Sequence, residues 1–312
     1  MSALLEVILP VFLIIGFGYA AARAALLDNA AIDGIMRFSQ NFALPCLLFK
    51  SIAALDLSAA YEWGLMASFY SGAFVAFGAG ILGARFILQR PMTDSIAIGF
   101  ACFFSNALLL GLAITERAYG PDALAGNYAI ISIHSPFLYA VGITLMEFVR
   151  TRGSGASGVT LAWQVLRAIF LQPLVLGVVA GFIANFSGLP QPATLAVAVD
   201  MMARAAIPAA LFGLGGVLLR YRPEGDGKAI AMVCAFSLLL HPAVTYGIGR
   251  GIFDLETNPL RSAVVTASMP PGVNAYLFAH LYGVGKRVAA SAVLIATGLS
   301  IGSVWLWLQV LG

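Results

Sequence analysis

The feature that most constrains this chain is the apolar stretch 263–283, Ala-Val-Val-Thr-Ala-Ser-Met-Pro270-Pro271-Gly272-Val-Asn274-Ala-Tyr-Leu-Phe-Ala-His-Leu-Tyr-Gly. It suits a bilayer everywhere except at its centre, which holds two prolines, a glycine and an asparagine. Proline removes a backbone donor and clashes with the preceding turn, so Pro270 and Pro271 predict a helix opened near Met269 to Val273. Hydrocarbon cannot satisfy the freed N–H and C=O groups. Such a break survives only where it is packed in protein or lines a polar cavity. A second stretch, Gly99 to Leu112, places Ser105 and Asn106 in the middle of another apolar run. Pro91 precedes Asn106 by 15 residues, and Pro259 precedes Asn274 by 15 residues. We read the two stretches as halves of one site.

Composition fixes the setting. Of 312 residues 61% are hydrophobic and 10% charged, whereas a soluble globule carries about 25% charge. At roughly 20 residues per crossing, the apolar runs divide into ten predicted membrane helices: 4–22, 35–54, 62–88, 94–115, 122–148, 163–186, 192–219, 229–253, 259–282 and 287–311. The expected fold class is therefore all-α integral membrane, with no separate soluble domain and no basic surface for nucleic acid. The N-terminus has no basic n-region, so the first run reads as a span and not as a cleaved signal peptide. Cys46, Cys102 and Cys234 each stand alone inside a run, which predicts neither a metal site nor a disulfide framework. No His-Glu-x-x-His, Gly-x-Ser-x-Gly or Walker lysine pattern occurs. An enzyme, a cofactor and ATP coupling are accordingly not expected.

Charge orients the chain. Connections on one side carry Lys50, Arg117, Arg250 and Arg261. The other side carries Arg23, Arg37, Arg85, Arg90, Arg150, Arg152, Arg167, Arg220, Arg222, Lys228, Lys286 and Arg287. By the positive-inside rule the second set is cytoplasmic, which puts both termini outside.

The prolines also repeat. Pro10 and Pro45 are 35 residues apart, as are Pro173 and Pro208. Together with the proline-to-asparagine spacing, this predicts two copies of one unit, 1–150 and 163–312, joined by a cytoplasmic linker at 151–162 rich in glycine and serine. Five spans per copy is an odd number, so the second copy enters the membrane from the opposite face, an inverted repeat. Small-xxx-small pairs at Gly177/Gly181, Gly247/Gly251 and Gly298/Gly302 predict close helix contacts.

Asn41-Phe-Ala-Leu-Pro45, Phe-Phe-Ser-Asn106 with Gly-Leu-Ala-Ile114, and Met-Pro-Pro271 with Asn274 and Leu-Tyr-Gly283 resemble the auxin efflux carrier family, which includes plant auxin exporters and bacterial carriers ascribed to malonate or malate. The resemblance covers essentially the whole chain. It implies a scaffold of spans 1, 2, 6 and 7 and a moving transport domain of spans 3–5 and 8–10. It also implies that the broken helices 4 and 9 cross at mid-membrane, where two asparagines hold a carboxylate; Asn106 and Asn274 are the matching positions. Span 4 departs from the family in carrying Phe104-Ser105 where a proline is usual. The short connection between spans 5 and 6, unlike the long loop of the plant exporters, argues against auxin as substrate.

The residues themselves support an anion site. A broken helix presents the N-terminus of its second half, with about half a positive charge, and neutral amides select a carboxylate without trapping it. The competing reading is that each asparagine repairs freed backbone groups. Ser105, by its hydroxyl, and Gly272, by letting a ligand approach the backbone, are supporting candidates. Asp200 and Arg204 lie four apart on one helical face and predict an ion pair, with gating or proton coupling as the alternative. Lys50 can snorkel to the outer surface or attract anions. Of the three histidines, His134, beside Ser135 and Pro136, is the candidate for lining the path; His241 and His280 read as packing residues. The expected function is export of a small organic carboxylate across the inner membrane by an elevator displacement, in a homodimer that the family suggests. A sodium-coupled symporter of the bile-acid carrier type and a non-transporting membrane sensor are the alternatives.

Overall fold

The computed structural model describes residues 3–150 and 172–312; the linker 151–162 and the start of the sixth predicted span lie outside them. Among the described residues every regular element is helical. We number them α1 (Leu4–Arg23), α2 (29–53), α3 (Trp63–Ile87), α4 (Met92–Phe103), α5 (107–119), α6 (Pro121–Arg150), α7 (Pro173–Ser187), α8 (Ala193–Leu218), α9 (Gly227–Gly251), α10 (Thr257–Ala267), α11 (Val273–Tyr282) and α12 (Lys286–Leu311). Six of these, α1, α3, α6, α8, α9 and α12, are long and apolar enough to cross a membrane, and α4 and α7 are shorter apolar helices.

Three of the prolines inside these helices are absorbed by local widening, while Pro136 and Pro208 sit within unwidened α-helix. Pro10, Pro45 and Pro242 each follow a π-helical turn, at Ala3–Ile8, Ser39–Ala43 and Phe236–Leu240. A wider turn makes room for the proline ring against the carbonyl four residues earlier. Two of those carbonyls find side-chain donors: Arg117 reaches the carbonyl of Glu6, and Trp307 Nε1 donates to that of Leu238 at 3.0 Å.

Two bodies emerge from the packing. α1 lies on α8 and α2 on α7 and α8, while α3, α4, α5 and α6 pack with α9, α10, α11 and α12. Each half of the sequence thus contributes to both bodies. Lipid is as apolar as a buried leucine, so in a bilayer such contacts depend on close fit more than on the hydrophobic effect. Backbone approach at glycine supplies that fit. A Cβ on Gly18 would collide with the Phe212 carbonyl, one on Gly215 with that of Ile15, and one on Gly177 would lie 2.6 Å from the carbonyl of Pro45. The predicted contact at Gly177/Gly181 is therefore real. Gly247, Gly251, Gly298 and Gly302 meet nothing within 4 Å, which corrects the expectation for those two pairs: their spacing is present but their face is open.

The connections gather at two ends. At one, Arg220 pairs with Asp33 at 2.8 Å, Arg90 with Asp226 at 2.8 Å, and Ser291 Oγ donates to the carbonyls of Arg222 and Glu224. The Arg90 guanidinium holds the Asp226 carboxyl below the usual carboxylate range. At the other end, Asn185 Nδ2 donates to the carbonyls of Ile52, Ala53 and Leu55, and Lys50 pairs with Asp200. Arg117 bonds the carbonyl of Glu6, and Arg261 bonds that of Gly312 and lies over the Tyr119 ring.

Candidate functional site

Both predicted interruptions are present. α4 stops at Phe103 and α5 begins at Ala107; α10 stops at Ala267 and α11 begins at Val273. The first break opens although no proline stands in it: the Phe104 carbonyl and the Asn106 N–H leave the helical pattern and bond the other break. The N–H of Asn106 donates to the carbonyl of Pro270 at 2.8 Å, and the N–H of Gly272 donates to that of Phe104 at 3.0 Å. Ser105 and Pro271 thereby face each other in a single antiparallel bridge. Two bare segments that hydrocarbon would reject satisfy one another.

Aromatic rings hold the crossing from behind. Phe100 of α4 and Phe278 of α11 stack with centroids 3.9 Å apart and planes 3° apart, and both are fully buried. Such a pair contributes about 0.5–1.5 kcal/mol beyond its area. Gly142 of α6 makes room for it, since a Cβ there would lie 2.5 Å from the Phe100 ring. Tyr139, a turn earlier, packs on Phe100 and Phe104 and directs its hydroxyl to the backbone carbonyl (3.3 Å) and Oδ1 (3.4 Å) of Asn274.

In front of the crossing lies a cavity of about 290 Å³ between the two bodies. Ser105, Asn106, Gly272, Asn274 and His134 all line it. So do Tyr139 and Ser132 of α6, Gln40 and Asn41 in the π turn of α2, and Gln172 before α7. Among the described lining residues none is Asp, Glu, Lys or Arg. The N-termini of α5 and α11 open onto the same space, and the first N–H groups of a helix have no intrahelical acceptor. Asn106 is buried, yet its side chain forms no hydrogen bond among the described residues. Ser105 Oγ is likewise buried without a partner there. His134 packs edge-on against Phe104 and Phe69, beside the Ser105 backbone. Gly272 sits against Asn106, where a Cβ would find ordinary contacts from 3.6 Å.

The remaining candidates lie elsewhere. Pro270 and Pro271 are buried in the break and do not line the cavity. Lys50, Asp200 and Arg204 form one cluster outside it: Arg204 Nε bonds Asp200 Oδ2 at 2.8 Å, and Lys50 of α2 takes Oδ1. His241 is buried against Phe69, and His280 is exposed. Sequence reasoning missed Tyr139, Gln40 and Gln172, which carry no spacing signal. It also missed Asn127, fully buried between Thr115 (3.1 Å) and Thr266 (2.8 Å), which ties α6 to α5 and α10. An asparagine at membrane depth was the signal available for the last.

Residues 3–308 match the family described as membrane transport protein. The chain is 27% identical over 310 residues to a Rhizobium meliloti (strain 1021) protein named "Putative malonate transporter", covering 97% of this chain and 94% of that one. It is 20% identical to auxin efflux carrier component 5 of Arabidopsis thaliana, over 95% of this chain and 93% of the relative. It is 26% identical to the lysosomal cholesterol signaling protein of Mus musculus, over 96% of this chain but 36% of that longer protein.

Proposed function

The chain belongs to the membrane transport protein family, and from that premise we propose that it is a secondary carrier of a small organic carboxylate, with the cavity at the crossing as its binding site. One observation carries the reading. Two helix N-termini and the amides of Asn106 and Asn274 meet at a single cavity that has no acidic side chain among its described lining residues. Convergent N–H groups and half-charges favour an anion. The side chains are available for it, because the freed backbone of each break is taken up by the other break and not by the asparagines. Ser105, Gly272 and Tyr139 complete the transport side of the site; Gln40, Asn41 and Gln172 face it from the scaffold side.

The similarity to a protein named for malonate makes short dicarboxylates the first candidates. The architecture we infer has ten crossings in two inverted five-helix repeats, each with one broken helix. The equal proline spacings support it, as does the mirrored packing of α1 on α8 and α7 on α2. A cavity on the boundary between two bodies suits an elevator displacement of α3–α6 and α9–α12 past the rest. We assign the protein to the inner membrane, with the Arg90–Asp226 end cytoplasmic, both termini outside, and a second copy packed on the exposed faces of α7 and α8, which carry Ile183, Phe186, Leu195 and Met201. Efflux is the preferred direction, since each negative charge leaving an inside-negative cell gains about 2.3 kcal/mol per 100 mV. Among the described lining residues His134 is the one suited to a proton.

A panel of labelled mono- and dicarboxylates, scored first by thermal stabilisation and then by flux in proteoliposomes, tests the proposal. Stabilisation and flux by a short carboxylate support it. Stabilisation without flux under any gradient would favour a sensor, the reading to which the similarity with the signaling protein lends weight. A requirement for sodium would replace efflux by symport.

A further inference from the structure

A second cavity, of about 600 Å³, lies away from the crossing along the seam between α9 and α12. Its wall on α9 is lowered by small residues, Gly227, Ala231 and Ala235, and it extends to Leu239, Leu299 and Ser303. From Gly227 to Leu239 the groove runs roughly 18 Å at about 1.5 Å per helical residue, close to half of a hydrocarbon core about 30 Å thick. It therefore has the length of one leaflet, and its walls are apolar.

The mouth has a different character. This end is lined by Pro223 and Gly225 of the connection before α9, which Ser291 pins to α12 through Glu224. A Cβ on Gly225 would lie 3.4 Å from that of Arg287. Lys228 follows Gly227 directly, and Arg222 opens the same connection; all three basic residues are exposed. None of them forms a salt bridge among the described residues. Of the local acids, Asp226 is engaged by Arg90, leaving Glu224 against three cations.

We propose that this groove holds one acyl chain of an anionic phospholipid from the leaflet at the Arg90–Asp226 end, its phosphate held by Lys228 and Arg287. An apolar groove alone would accept any lipid chain. The unpaired cations at its mouth select the headgroup, each adding attraction for negative lipid at the surface. The site is independent of the carboxylate reading, since it needs only a bilayer.

Native mass spectrometry of the purified full chain, offered equal phosphatidylglycerol and phosphatidylethanolamine with identical chains, tests it. The expected result is retention of phosphatidylglycerol in about ten-fold excess or more, as two or three basic residues at a membrane surface provide. Lys228→Gln with Arg287→Gln should bring the two lipids to near parity, and Ala235→Phe, at an exposed position that fills the groove, should abolish retention of both. Equal retention by the unaltered chain, a preference that survives the double substitution, or undiminished retention by Ala235→Phe would overturn the proposal.

Discussion

The backbone N–H of Asn106 donates to the carbonyl of Pro270 at 2.8 Å, tying together two interrupted helices that lie more than half the chain apart in sequence. The reciprocal bond, Gly272 N–H to Phe104 C=O, completes the bridge. Gly272 has φ of −75°, which proline also adopts, so Gly272→Pro removes the donor without forcing the backbone. It should destabilise the protein by about 1–3 kcal/mol, the cost of a buried acceptor left unpaired, and lower the detergent melting temperature. Gly272→Ala keeps the donor and meets only ordinary contacts, so it should melt like the unaltered protein.

The glycine crossings make a second pair of opposed outcomes. Gly215→Val drives a side chain into the Ile15 backbone and should separate α1 from α8, with a large loss of folded yield on size-exclusion chromatography. Gly298→Ala, on an open face, should be neutral or stabilising by about 0.5–1 kcal/mol through helix propensity.

Tyr139 positions Asn274 through long hydrogen bonds. Tyr139→Phe keeps the ring packing and should leave melting nearly unchanged, while weakening carboxylate binding about two- to ten-fold, as loss of one net hydrogen bond implies. Isothermal titration separates the two effects.

At the Asn185 end of the molecule, Asp200 bridges Lys50 and Arg204 with all three side chains solvated to some degree. Exposed pairs contribute about 0–1 kcal/mol, so Asp200→Asn should shift stability by no more than that. Loss of flux at unchanged stability would show that the cluster gates the path.

Much of this was legible in the sequence because a bilayer punishes irregular backbone. Pro270, Pro271 and the two asparagines stood out against apolar surroundings, and the opening lies where they put it. The first break was less certain from residue types: Phe104 and Ser105 do not prohibit a helix, and what opens α4 is the partner segment that bonds it. Tyr139 was invisible for the opposite reason, since an aromatic residue in an apolar run announces only packing, and its reach to Asn274 depends on how α6 lies across α11. The pairs Gly247/Gly251 and Gly298/Gly302 failed as contact signals because spacing defines a small face but not whether another helix sits on it.

Flux of labelled malonate and its homologues through proteoliposomes containing Asn106→Ala or Asn274→Ala tests the central claim most directly. Each substitution removes a hydrogen bond to a charged group, about 1.5–3 kcal/mol, so each should reduce apparent affinity by about ten- to a hundred-fold while the protein stays folded. Normal transport by both variants would contradict the assignment of the crossing as the binding site.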